Sequence, residues 1–356
     1  MTKHSTCACL AALLLAMCIA ACGPTAEESP QPTPSPLPQL ITEPTPKPVG
    51  PAPTVVAPEE TLPGRLLFAK DGDIWMWQSG SGRQLTDKGN LWQPAWSPDG
   101  SWIAGVQREE SYSNIVVMTA TGSDLIQLTK DGTTQPLHSY ERIYDTTWAF
   151  YPSFSPDGRT VIFSAQAAPP FGTPAVEYNM TLFSSPVAAG SKPEQLYADN
   201  EGQVLRPIYA PDGKSIVFVF SPNVLNKPPQ ILHFDPETND VSPLPGVPEQ
   251  SYDPTFSADG KWFAFATRDT DGTDVFAMPA KGGEPLRLTS LGSARAPAFS
   301  PDGKQIAFLA MEPGNNRFDL WVADITPEAD GLRIGKPRQL TTNLGIDADS
   351  GLSWGR

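Results

Sequence analysis

One octet recurs five times along this chain, and it constrains the fold more than any other feature. It reads Gln93-Pro94-Ala95-Trp96-Ser97-Pro98-Asp99-Gly100 in its first copy. It returns as Tyr151–Gly158, Arg206–Gly213, Asp253–Gly260 and Ala296–Gly303. The five Asp residues lie 58, 55, 47 and 43 residues apart, and such a period marks a repeat architecture. Pro-Asp-Gly presets one φ, caps its own turn and ends on a residue free to take positive φ. A period-2 strand follows each copy, as in Val161 and Phe163, Ile216 and Phe218, Phe263 and Phe265, or Ile306 and Phe308. Third strands are expected from Asn114, Asp274 and Asp319, and fourth strands end in Leu128-Thr129, Leu288-Thr289 and Leu340-Thr341.

Four short antiparallel strands per unit are the pattern of a β-propeller blade. The chain closes on Gly351-Leu352-Ser353-Trp354, and Ser353 falls 53 residues after Ser300, where a sixth motif serine is expected. Three strands at the other end, Arg65–Lys70, Asp73–Gln78 and Arg83–Thr86, supply the rest of that blade. The expectation is an all-β, six-bladed propeller of four-stranded antiparallel blades. Its last blade joins one C-terminal strand to three N-terminal ones, which leaves no open sheet edge.

The pattern Pro-x-Φ-Ser-Pro-Asp-Gly-Lys-x-Ile-Ala-Phe, with Arg-x-Leu-Thr ending a blade, resembles the propeller of the TolB family (WD40-like repeats) over residues 64–356. That resemblance implies an extracytoplasmic propeller that docks partner proteins. TolB carries an α/β domain ahead of its propeller, whereas a lipid signal and a proline tract stand in that place here.

At the N-terminus, Lys3 and His4 precede an apolar run from Leu10 to Ala21, and Ile19-Ala20-Ala21-Cys22 resembles the bacterial lipobox. Residues 1–21 are thus expected to be a lipoprotein signal peptide, with Cys22 lipidated. The alternatives are an ordinary cleaved signal with an incidental Cys and a short uncleaved anchor. Cys7, Cys9 and Cys18 leave with the signal, so no disulfide is expected in the mature chain. Residues 22–62 contain twelve prolines and no hydrophobic period. They read as a disordered tether that reaches on the order of 120 Å, or else as a Pro-rich recognition ligand. The propeller is expected to fill residues 63–356.

Acidic residues outnumber basic ones by 39 to 25, which excludes a nucleic-acid binder because no basic surplus is available to neutralise phosphates. Gly351-Leu352-Ser353-Trp354-Gly355 matches a nucleophile elbow, yet the sequence given supplies neither the following helix nor a downstream histidine. No catalytic residue is therefore assigned. No cofactor is expected either. Asp269, Asp271 and Asp274 read as a hairpin turn, with bound Ca²⁺ as the alternative.

The two longest loops, 130–150 and 166–178, belong to one blade and should meet on one face. Tyr140, Arg142, Tyr144, Trp148, Phe150, Tyr151 and Phe171 are the partner-binding candidates, since aromatics and Arg anchor interfaces. The alternative is that they only pack the two loops together. A second candidate is the channel mouth, a ring of Gln93, Tyr151, Arg206, Asp253, Ala296 and Asp349 suited to a peptide terminus, a saccharide or another small polar ligand, or to ordered water. The functional expectation is a monomeric, lipid-anchored, non-catalytic module that binds an envelope protein. Its rivals are a small-ligand binder and an enzyme with a site in the channel.

Overall fold

The computed structural model of the protein describes residues 62–328 and 331–356, all within the unit 51–356. The signal peptide, Cys22 and the proline tract lie outside the described residues. Six antiparallel sheets form a six-bladed propeller. Blade 1 comprises Leu91–Trp96, Trp102–Arg108, Ser113–Thr119 and Ile126–Gln127 from the inside outward. Blade 2 comprises Ala149–Phe154, Thr160–Gln166, Met180–Pro186 and Glu194–Tyr197; blade 3 runs from Gly202 to Pro243, and blade 4 from Ser251 to Arg287. In blade 5 the third strand, Phe318–Glu328, is long enough to carry two outer pieces, Gly331–Ile334 and Arg338–Gln339. Blade 6 pairs the C-terminal Ser353–Gly355 with Arg65–Lys70, then Asp73–Gln78 and Ser81–Gln84, as the repeat count predicts.

Six apolar clusters hold the ring, one at each blade interface. Val161 and Phe163 face blade 1 with Ala104 and Ile115, whereas Ile162 between them faces blade 3 with Phe218 and Phe234. Strict alternation thus feeds two different interfaces, because both faces of every middle strand are covered. The cluster between blades 5 and 6 gathers Leu62, Leu66 and Phe68 with Leu309, Leu320 and Ile346, and Trp354 packs against it.

The octet builds a turn by side-chain capping. The Ser97 hydroxyl donates to Asp99 (2.6 Å) and accepts from the Trp102 N–H (2.9 Å), while Gly100 takes φ 69°. The Ser97 hydrogen bond is the largest of the effects that hold the Asp99 carboxyl below its usual range.

Leu-Thr lies just beyond the outer strand, where it works as a latch. In blade 4 the Thr289 hydroxyl accepts from the Val275 N–H (3.0 Å) and donates to Asp274 (2.6 Å). The same latch joins Thr86 to Asp73, Thr129 to Asn114 and Thr341 to Asp319. Asp319 is fully buried and also accepts from the Asn343 and Leu344 N–H groups. Replacing it with alanine strands three donors, so Asp319→Ala is expected to cost about 3 kcal/mol in urea denaturation. A loss below about 1 kcal/mol would show that water replaces the carboxylate.

Besides the Leu-Thr pairs, which fall just past the outer strands instead of ending them, two details depart from the sequence reading. The outermost strand of blade 6 is Ser81–Gln84 rather than Arg83–Thr86, because Ser79 and Gly80 both take positive φ and set a tight hairpin. Thr86 then falls outside the strand and serves the latch. Ser353 is not the sixth motif serine. Trp354 pairs with Leu66 as Phe299 pairs with Ile306, which aligns Gly351-Leu352-Ser353-Trp354-Gly355-Arg356 with Gln93–Pro98.

Candidate functional site

Each inner strand of blades 1 to 5 carries a β-bulge at the residue before the motif proline. That residue takes positive φ: 52° at Gln93, 56° at Tyr151, 50° at Arg206, 56° at Asp253 and 53° at Ala296. Non-glycine residues rarely adopt this conformation, and the following proline, which lacks an N–H, is tolerated at a bulge. The five residues line a central channel of about 510 Å³. The sixth position belongs to Gly351 at φ 72°, not to Asp349. Aligning the last six residues on Trp354 would have found it.

Asp349 still reaches the channel mouth, from the turn Ala348–Ser350. Its carboxylate lies 3.0 Å from Arg295 Nη1 and 3.6 Å from Arg206 Nη2. Asp253, buried at the centre, lies 3.1 Å from Arg206 Nε and accepts from Arg295 Nε at 3.0 Å and from the Ala296 N–H at 3.0 Å. Burial pushes the Asp253 carboxyl up, but Arg206 and Arg295 outweigh it and hold the group below the usual carboxylate range. Burial alone would lower Arg295, which Asp253 instead raises. Arg206 also lies over the Tyr151 ring, 4.6 Å from its centroid, and burial raises that phenol. Gln93 reaches across the blades instead, accepting from the Tyr151 N–H at 2.6 Å. The channel mouth is therefore a closed network of two arginines and two aspartates. Arg295 was missed in the sequence because it stands one residue before the ring position.

The two long loops of blade 2 do meet. Tyr144 Oη donates to the Gly172 carbonyl (2.9 Å), and the Tyr140 and Tyr144 rings sit edge to face at 5.6 Å. Phe171 packs on Tyr178 at 5.2 Å. Trp148, Phe150 and Tyr151 form a ladder with spacings of 5.7 and 6.0 Å that leads to the channel mouth. Arg142 is a structural staple rather than a surface anchor. It is only 8% exposed and donates to the Gln135 carbonyl (2.9 Å) and Ser111 Oγ (3.3 Å). Four large apolar side chains face solvent there, Leu137 at 69% exposed, Tyr140 at 58%, Phe171 at 51% and Val176 at 51%, among exposed polar residues such as His138, Glu141 and Glu177. Leu137 and Val176 escaped the sequence reading because isolated aliphatics in a loop carry no pattern.

Asp269, Asp271 and Asp274 come together around a cation that the chain itself supplies. Arg287 Nη2 donates to Asp274 at 2.6 Å, and Nη1 lies 3.3 Å from Asp269 and 3.9 Å from Asp271. Asp274 also accepts from Thr289, Leu291 and Gly292. Within the described residues, no group of three or more His, Cys, Asp or Glu is placed to hold a metal ion. Ser353 of the elbow-like motif sits in the closing strand, where its hydroxyl accepts from the Trp96 N–H at 2.9 Å.

No family model matches the chain. Among solved structures, TolB from Acinetobacter baumannii superposes with a TM-score of 0.61 at 22% identity, covering 82% of this chain and 66% of that one. A protein assigned as TolB from Agrobacterium tumefaciens gives 0.51 at 15% identity, covering 80% and 92%. The likeness read from the Ser-Pro-Asp-Gly repeats thus holds at the level of the fold. Among curated proteins, the uncharacterized peptidase YuxL of Bacillus subtilis is 32% identical over 108 residues, which are 29% of this chain. This chain spans only 16% of the length of that relative.

Proposed function

We propose that this propeller is a non-catalytic docking module at the cell envelope, monomeric and held to the membrane by a lipid on Cys22, and that it binds a protein partner through the loops of blade 2. One observation carries the reading: Leu137, Tyr140, Phe171 and Val176 are exposed together on loops that hydrogen bonds pin in place. Preordered apolar side chains lose little freedom when a partner covers them, which is how interface anchors work. The TolB likeness favours an extracytoplasmic setting and protein partners. None of the described helices is long and apolar enough to cross a membrane, so the lipid supplies attachment in this reading.

The test is affinity capture from native membranes with the full chain and with a Tyr140→Ser/Phe171→Ser double variant. Both positions are exposed, so the melting temperature should hold. Loss of a protein captured by the parent, by about tenfold or more, is expected because each anchor contributes about 1–2 kcal/mol. Undiminished capture would move the site elsewhere. The channel supports a second reading, a small polar ligand, because its mouth carries charged groups above a cavity of about 510 Å³. In that case the double variant would bind normally and Arg206→Gln would not.

A further inference from the structure

A second cavity of about 800 Å³ opens between the loops of blades 3, 4 and 5, away from the aromatic loops of blade 2. Lys227, Arg268 and Arg295 stand in its wall, and no Asp or Glu does. In a chain with 39 acidic and 25 basic residues, such a wall is unexpected by composition. Arg295 is committed to Asp253 and Asp349. Lys227 and Arg268 are exposed and make no side-chain hydrogen bond or ion pair to any described residue. Three acids nearby serve other groups: Glu249 accepts from Gln230 at 2.9 Å, and Asp269 and Asp271 face Arg287.

The remaining wall mixes apolar side chains with the neutral polar groups of Asn226, Gln250, Thr273 and Ser293. Pro228, Pro229, Met311 and Phe318 line it, with the Tyr252 ring fixed by a 3.0 Å hydrogen bond to Thr273. A pair of free cations beside a half-buried apolar wall matches a ligand with one carboxylate on an apolar or ring-shaped body. Metal cations and polyamines are disfavoured by the same charges.

We infer that this cavity is a binding site for an organic carboxylate, with Arg268 and Lys227 as its charge partners. Two sources offer that chemistry, the free C-terminus of a peptide and an acidic sugar. The site lies apart from the blade 2 loops and does not depend on the docking role proposed above.

Calorimetric titration of the full chain tests the assignment with three probes: N-acetyl-Ala-Phe as the free acid, the same dipeptide as its amide, and glucuronate. At least one acid should bind, weakening as salt rises. Arg268→Gln and Lys227→Gln should each weaken it about tenfold, one charged hydrogen bond apiece, with unchanged melting temperature. Tighter binding of the dipeptide acid than of glucuronate identifies a peptide terminus, and the reverse order identifies a sugar acid. Equal binding of dipeptide acid and amide, binding untouched by both substitutions, or no binding by either acid overturns the inference. Capture through blade 2 should be unaffected by Arg268→Gln, so the two proposals fail separately.

Discussion

Deleting Leu352–Arg356 should abolish cooperative folding of the propeller. Those residues complete blade 6, and without them the strand Arg65–Lys70 loses its inner neighbour. Trp354 packs against the cluster between blades 5 and 6 and donates its indole N–H to the Pro63 carbonyl at 2.7 Å. Across the next interface Ser353 accepts from the Trp96 N–H, and within blade 6 Arg65 Nε donates to the Arg356 carbonyl at 2.7 Å. Gly64 lies so close to Gly355 that any Cβ there would collide with its carbonyl. Removing a packed tryptophan costs about 3–5 kcal/mol, and each lost hydrogen bond about 1 kcal/mol more. The sum rivals the whole stability of an ordinary domain. Trp354→Ala alone should shift the urea midpoint by about 3 kcal/mol equivalent. If the shortened chain unfolds in one transition at the parent midpoint, the ring is not held by this seam.

Asp253→Ala should be nearly as damaging. The carboxylate sits between Arg206 and Arg295 and is buried, so its loss leaves two guanidiniums close together with only Asp349 as counter-ion. Breaking a buried pair in this way costs about 3–5 kcal/mol. Arg206→Ala should cost less, because Arg295 still neutralises the carboxylate. The same network fixes the acid limb of stability. Since the folded state holds the Asp253 carboxyl below its unfolded value of about 3.9, its contribution is complete above that pH and is lost as pH falls through the folded pKa. Asp253→Asn should therefore flatten the decline of stability below about pH 4. An unchanged acid limb would mean that other carboxylates, such as Asp99, govern it.

Much of this architecture is legible in the sequence because a repeat states each rule several times. The octet, which carries Ser-Pro-Asp-Gly in three copies and a one-residue variant in two, places five turns, and alternation places the strands that follow them. The sixth copy is legible only through Trp354, because Gly355 and Arg356 replace the motif's Ser and Pro. An alignment on serine spacing therefore slips by two residues and credits Asp349 with the place of Gly351. Long-range partners were not legible at all. Nothing in the neighbourhood of Arg295 signals a pairing with Asp253, 42 residues earlier, and nothing near Arg287 shows that it neutralises an acidic hairpin. Arg142 looked like an interface residue because residue type was the only guide. Its burial depends on Gln135 and Ser111, which reach it through the fold of the loop.

The seam of blade 6 also sets a timetable for the nascent chain. Arg65 and Arg356 are hydrogen-bonded but 291 residues apart. At 5–20 residues per second, a ribosome needs roughly 15–60 s to make that stretch. Throughout that interval the strand Arg65–Lys70 has no inner neighbour, and its backbone donors and acceptors on that side are a template for any other strand. Leu66 and Phe68, both fully buried in the finished ring, stay uncovered on the face that blade 5 later occupies. The first of the described strands to be synthesised is thus the last to be completed, and the interval before closure is when aggregation competes with folding.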